Sequence, residues 1–235
     1  MGTEKEGGVE VAADKYRSFL HDEAQNTEWR HGGPPIYDTE WAKGSLEEVV
    51  QNAIKSWEME LSHKTRIQDF RTINPDKFKL IVNGREGLSA EETLRVGSYN
   101  ALLKSSMPEE FKYYKVEEES FESSHDAFRE ALPRGFAWEV LAVHSGPPVI
   151  VFKFRHWGYF EGPFKGHAPT GKMVQFYGVG ILKVDELMRA EEVEIYYDPA
   201  ELFAPLLKAP LISGPNTEQQ GAASSTSPQK CPFQN

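Results

Sequence analysis

Cysteine is almost missing from this chain: Cys231 stands alone, so no internal disulfide and no thiolate metal cluster can form, as suits a reducing compartment. Positive charge is also scarce, 26 basic against 36 acidic residues, and the net charge of −10 repels phosphate backbones. Nucleic acid is therefore not an expected partner. No apolar run approaches a bilayer span, the mean hydropathy is −0.54, and no charged start leads into an apolar core. A cytoplasmic address without membrane contact is the expectation. Lipid anchors are not expected either, because position 6 is Glu6 where a myristoylated Gly2 needs Ser or Thr, and Cys231 lies one place too far from the end for prenylation.

Cofactor signatures are equally absent. There is no Gly-x-Ser-x-Gly elbow, P-loop or His-Glu-x-x-His, and the seven histidines have no metal-ligand spacing. Gly178-Val179-Gly180 opens like a dinucleotide fingerprint, but its third glycine is replaced by Lys183 and the run sits inside a strand pattern. Neither a metal nor a cofactor is expected.

What is present suits one domain with tails. Residues 1–13 and 213–235 are small and polar and read as disordered tails; 14–44 read as an arm carrying Trp29, Tyr37 and Trp41 among its prolines and glycines; 45–212 read as the domain. Ser45 and Glu48 form a capping box before Leu46, Val49, Val50, Ala53, Ile54, Trp57 and Leu61, which recur at helical spacing. Lys79 to Val82 reads as a short strand ending at the Asn83-Gly84 turn. A second box, Ser89 to Glu92, opens one helix carrying Leu94, Val96, Tyr99, Leu102 and Leu103, and a third helix is expected from about Ser124 to Leu132. Four strands follow: Phe136 to His144, Val149 to Trp157, Met173 to Val184 and Val193 to Tyr197. Helices first and a meander after predict an α+β domain, its helices packed on one face of a strongly bent antiparallel sheet.

The stretch Phe152 to Lys172 organises this pattern. Alternating aromatic and cationic residues give way to Gly158, Gly162, Gly166 and Gly171, marking a sheet that curves around something. The run from Gly158 to Lys172, ending Ala168-Pro169-Thr170-Gly171-Lys172, resembles the signature of SnoaL-like proteins, polyketide-cyclase relatives in the nuclear-transport-factor-2-like superfamily. Trp57, Asn74-Pro75-Asp76 and Ala127-Phe128 fall where that family's other landmarks lie. Asp14-Lys15-Tyr16-Arg17, the Gly-Pro-Pro-x-Tyr-Asp arm ending at Asp38 and Phe154 to Tyr159 bring the chain closer still to the plant pathogen-related protein group within it. That resemblance implies a cone-shaped fold around one apolar cavity, a small hydrophobic or aromatic metabolite as ligand, homodimerisation through the outer sheet face and a link to plant defence. It leaves the group's activity undefined.

Two departures bear on chemistry. The family's acid/base aspartate on the last strand falls at Ile195 here, and the histidine before the loop falls at Phe160. A slip of a residue or two in that placement would bring Glu194 or Glu192 to the catalytic position, which keeps a cofactor-free isomerase, cyclase or lyase as an alternative. A protein-binding module working through the sheet face is a further one.

His156 is the remaining acid/base candidate, since strand alternation sets it on the face of Phe154 and Phe160; a histidine bonded to a neighbour or lying at a dimer surface has the same pattern. Asp198 reads either as a cavity-mouth acid or as the cap of a helix with Pro199 at its first position. His63 could reach the cavity or complement a helix dipole. Tyr177 and Tyr197 could donate to a ligand carbonyl or belong to the core, and Trp57, Met59, Trp138, Phe154, Phe160 and Ile195 are the expected walls.

Overall fold

The computed structural model describes residues 40–212, so the two tails and all but the end of the arm lie outside the described residues. Within them, six strands form one sheet in the order β2-β1-β6-β5-β4-β3, with β1 Lys79–Val82, β2 Leu88–Ser89, β3 Phe136–Val143, β4 Val149–Tyr159, β5 Met173–Val184 and β6 Ala190–Tyr197. The last four make the expected antiparallel meander. The short β1 joins it differently, running parallel to β6 with Leu80 opposite Val193 and Val82 opposite Ile195.

Helices α1 (Leu46–His63), α2 (Ala90–Val96), α3 (Ser98–Leu103), α4 (Phe121–Ala131) and α5 (Pro199–Leu207) accompany this sheet, α1 lying against β3 and α5 against β5. Ser45 accepts from the Glu48 backbone to start α1, as its capping pattern predicts. The expected single helix after Ser89 is instead two, because Gly97 sits at φ 83° and turns the chain between α2 and α3. A side chain there would also strike Phe121 at 2.6 Å. α4 starts three residues earlier than expected, since Ser120 and Ser123 bond each other's backbone and close a cap that lacks the usual acidic partner. β6 likewise starts at Ala190, because Asp185 accepts from the backbones of Leu187 and Arg189 and tightens the hairpin before it.

The bend of the sheet has a specific cause. On β4 and β5, Phe152 pairs with Gly180 and Phe154 with Gly178, and the two phenyl rings lie over the glycines. A Cβ on Gly180 would sit 2.2 Å from the Phe152 ring; one on Gly178 would sit 2.4 Å from the Phe154 ring and 2.6 Å from the Tyr196 carbonyl. Glycine is needed so that rings can occupy the concave side without pushing the strands apart.

Both edges of the open sheet are blunted. β2 is two residues long, and at the β3 end the Gln51 amide of α1 donates to the Trp138 carbonyl at 2.9 Å and accepts from the Val140 N–H at 2.7 Å, acting as a surrogate strand at the bulge after Val140. The long loop between β4 and β5 is tied down as well. Phe160 exchanges backbone bonds with Thr170, Gly171 and Lys172, and Glu161 and Gly162 both donate to the Ala131 carbonyl at the end of α4. The segment after α5 closes over this loop through Ala168 to Pro210 and Ile212 to Gly166.

Gly178→Ala is expected to lower the unfolding free energy by about 1–3 kcal/mol, the usual cost of overpacking. Gly146→Ala, whose new methyl would meet only Leu46 at 3.6 Å, is expected to stay within about 0.5 kcal/mol. Urea unfolding of the two variants checks this, and equal losses would remove the ring-over-glycine account of the bend.

Candidate functional site

The concave face carries a row of rings running across four strands. From β3 come Phe136 and Trp138, from β4 His156, from β5 Phe176 and from β6 Tyr197. Register places Trp138, His156 and Phe176 directly beside one another. Ring centroids along the row are 5.5 Å from Trp138 to His156, 5.3 Å from His156 to Phe176 and 4.8 Å from Phe176 to Tyr197. Phe136 covers His156 at 3.8 Å.

His156 is only 6% exposed, and its Nδ1 has no hydrogen-bond partner. Burial pushes the imidazole from 6.5 down to about 3, with a backbone group of Ala137 pulling weakly the other way, so the ring is neutral throughout the physiological range. Trp138 next to it is 4% exposed and its indole N–H is also unpartnered. Trp57 reaches this row from α1, edge-on to Trp138 at 6.3 Å, and Phe154 adjoins Trp138 at 5.1 Å. Tyr197 ends the row by donating its hydroxyl to the Leu102 carbonyl at 2.9 Å. Burial, ahead of neighbouring charges, pushes its phenol well above the usual range.

Other expected residues lie elsewhere. Ile195 and Phe160 are fully buried, and neither position carries a proton-transfer group. Ile195 faces inward opposite Gly180, while Glu194 lies on the outer side and accepts from the Tyr196 hydroxyl, so the register puts no last-strand carboxylate on the concave face at this level. Glu192 alternates with Val193 in the same outward sense. Asp198 is an exposed cap: its Oδ1 accepts from the Ala200 N–H at 2.9 Å with Pro199 at the first helical position. Tyr177, expected in the wall, is 49% exposed on the opposite face beside Lys153, because its neighbour Phe176 takes the inward place. His63 lies part-buried in the last turn of α1, and Met59 is part-buried on the same helix.

Three polar features were not singled out from the sequence. Glu58 of α1 is pushed up to about 8 by burial, Lys55 opposing, so its carboxyl is largely neutral near pH 7. Tyr99 of α3 feels it: burial first and the Glu58 charge second push that phenol up. On the convex side Glu139, 0% exposed, accepts from Arg155 Nη2 at 2.6 Å and from the Trp157 indole at 3.1 Å. The Glu139–Arg155 pair is visible in strand register, whereas the Glu58 shift depends wholly on which helices pack around it. Among the described residues no group of three or more His, Cys, Asp or Glu could hold a metal ion.

A depression of about 720 Å³ lies away from the ring row, at the β5–β6 hairpin between Pro147, Pro148, Leu187, Met188 and Arg189. Four of its charged groups are paired, Arg189 with Asp185 and Lys77 with Glu191, and Glu186 adds a further carboxylate.

No family model matches the sequence. Among solved structures, the chain is similar to a protein assigned as a SnoaL-like polyketide cyclase from Jannaschia, at 16% identity and TM-score 0.36, over 71% of this chain and 99% of that one. It is also similar to a protein with a ketosteroid isomerase-like fold from Catenulispora acidiphila, at 8% identity and TM-score 0.37, over 65% and 89%. Among curated sequences it is 47% identical over 219 residues to a pathogen-related protein of Hordeum vulgare, covering 87% of this chain and 93% of the relative. With that identity over 87% of its length, the chain belongs to the family of that pathogen-related protein.

Proposed function

We propose that this protein binds a small hydrophobic or aromatic metabolite against the ring row of the concave face, as a carrier or sensor in a defence context. One observation carries this reading: a neutral histidine whose Nδ1 has no partner is held in a wall of rings, with apolar Ile195 and Phe160 at the positions where the resemblance would place acid/base groups. A core serving packing alone gains nothing from a buried polar ring whose acceptor is unsatisfied, since that acceptor costs about 1–3 kcal/mol of desolvation. The barley relative's name is what suggests the defence context. No helix among the described residues is long and apolar enough to cross a membrane, and we take the address to be cytoplasmic.

Glu58 supports a second reading, a cofactor-free isomerase or cyclase. A carboxyl poised near neutrality beside Tyr99 could exchange protons, the work for which the usual strand residues are missing. Native mass spectrometry of protein drawn from its source tissue is expected to show one bound small molecule that is unchanged after incubation. A transformed molecule would favour the enzyme; a bare chain would count against both readings.

The outer face is proposed to receive a second copy of this chain. Val179 and Tyr177 of β5 and Tyr196 of β6 are exposed there, with cationic Lys153 on β4 and anionic Glu194 on β6 to either side. A two-fold axis along β5 would set β4 of one copy over β6 of the other and oppose these charges. Light scattering at micromolar concentration is expected to give twice the 26.6 kDa chain mass. Lys153→Glu should shift the chain toward monomer and Lys153→Glu with Glu194→Lys should restore the dimer; a monomeric wild type would dispose of the proposal.

His156 also predicts a pH response. The unfolded chain takes up a proton as pH falls below 6.5, whereas the folded ring resists protonation down to about 3, so stability is lost as pH drops through this window. The slope contributed is up to about 1.4 kcal/mol per pH unit. Between pH 6.5 and 5 the wild type should lose roughly 1–2 kcal/mol that His156→Phe does not lose; parallel urea melts of both proteins check it, and identical slopes would show that the ring is not held neutral.

A further inference from the structure

The two unpartnered atoms of the ring row differ in kind. The Trp138 indole N–H can only donate. At His156 the Ala137 backbone favours the protonated ring, which is the effect of a carbonyl accepting a ring N–H. In the tautomer that carries its proton on Nε2, the unpartnered Nδ1 is an acceptor. A donor and an acceptor, both more than nine-tenths buried, therefore sit on directly paired residues whose rings lie 5.5 Å apart at 25°.

We propose that Trp138 and His156 form a hydroxyl-recognition pair, selecting a flat apolar ligand that carries a free neutral hydroxyl, a phenol being the simplest case. This rests on the reading of the concave face as a ligand site. A hydroxyl oxygen accepts from the indole while its hydrogen is donated to Nδ1, so one group satisfies both residues. A carbonyl or ether oxygen would satisfy Trp138 and leave two acceptors facing each other at His156. A carboxylate or ammonium would enter a setting that already keeps the imidazole uncharged, and would meet the wrong partner at one of the two atoms.

The rings explain why the ligand should be flat. Trp138, Phe176 and Phe136 lie at 25°, 29° and 33° to the His156 plane, so ring surfaces face the imidazole from three sides, with Phe136 and Phe176 inclined to each other at 59°. Phe136 is the part-buried member of the set, at the first position of β3 and next to Gly135, whose φ of 95° marks a sharp turn. A rotation of the Phe136 side chain opens the outer side of His156, and an aromatic ligand can take its place in the stack.

The test titrates 1-naphthol, 1-methoxynaphthalene and naphthalene into the full-length protein by calorimetry, with Trp138→Phe and His156→Phe alongside. The expected result is at least about tenfold tighter binding of the naphthol than of its methyl ether, the usual consequence of leaving a buried polar group unpaired. Each substitution should bring that ratio close to one, whatever it does to the affinity for naphthalene. If naphthol and its ether bind the wild type equally, the hydroxyl inference falls, the pair being served by an internal water, and the ligand-site reading stands. A preference that survives both substitutions likewise overturns it, since the hydroxyl is then read elsewhere. If none of the three binds, both the inference and the ligand-site reading are overturned. Thermal melts of the variants confirm folding, and Trp138→Phe suffices should His156→Phe fail to fold.

Discussion

The contact between the β4 phenylalanines and the β5 glycines is the constraint on which the rest of the structure depends. Phe152 and Phe154 can lie flat against β5 only because Gly180 and Gly178 leave the space. With the rings folded down on the strand, the sheet can close around a concave face, and that face can hold the further rings of Trp138, His156, Phe176 and Tyr197. A larger residue at either glycine would lift a ring, move β4 relative to β5 and displace His156, which is two residues further along β4 than Phe154. The chemistry of the candidate site is thus attached to a packing decision made one pair away.

The same arrangement explains why Ile195 is apolar while a titratable ring is held at His156. Ile195 is opposite Gly180, directly under the Phe152 contact, where a carboxylate would be buried among hydrocarbon with no partner. His156 is surrounded by rings that exclude water, and the imidazole accepts this by staying neutral. Glu58 responds in the corresponding way for an acid, keeping its proton to higher pH. Burial therefore acts on both groups in one direction, toward the uncharged form.

Much of this was legible in the sequence, and the exceptions are specific. Ser45 with Glu48 located α1, alternation located β3 to β5, and the run ending Pro169-Thr170-Gly171-Lys172 pointed to the family. The inner face of β5 was harder, because two of its inward positions are Gly178 and Gly180 and carry no side chain to mark the alternation. Phe176 and Tyr177 are adjacent aromatics, so without those marks Tyr177 was assigned inward when Phe176 holds that place. The capping role of Asp198 could be read from Pro199, since local chemistry decides it. Gln51 offered a signal that was passed over: a polar residue on the apolar stripe of α1, three before Ile54, must have a buried partner. Glu58 offered none, because its shift comes from the packing of α1 against distant segments.

The Gln51 amide has a wider consequence. Filaments of β-rich proteins grow when the open margin of one sheet templates the backbone of the next molecule. Here that margin is occupied by a side chain belonging to a helix, so an incoming strand would first have to displace α1 from β3. An aromatic-rich sheet gains from such a stop, because growth margin to margin at this side would cost the molecule its first helix.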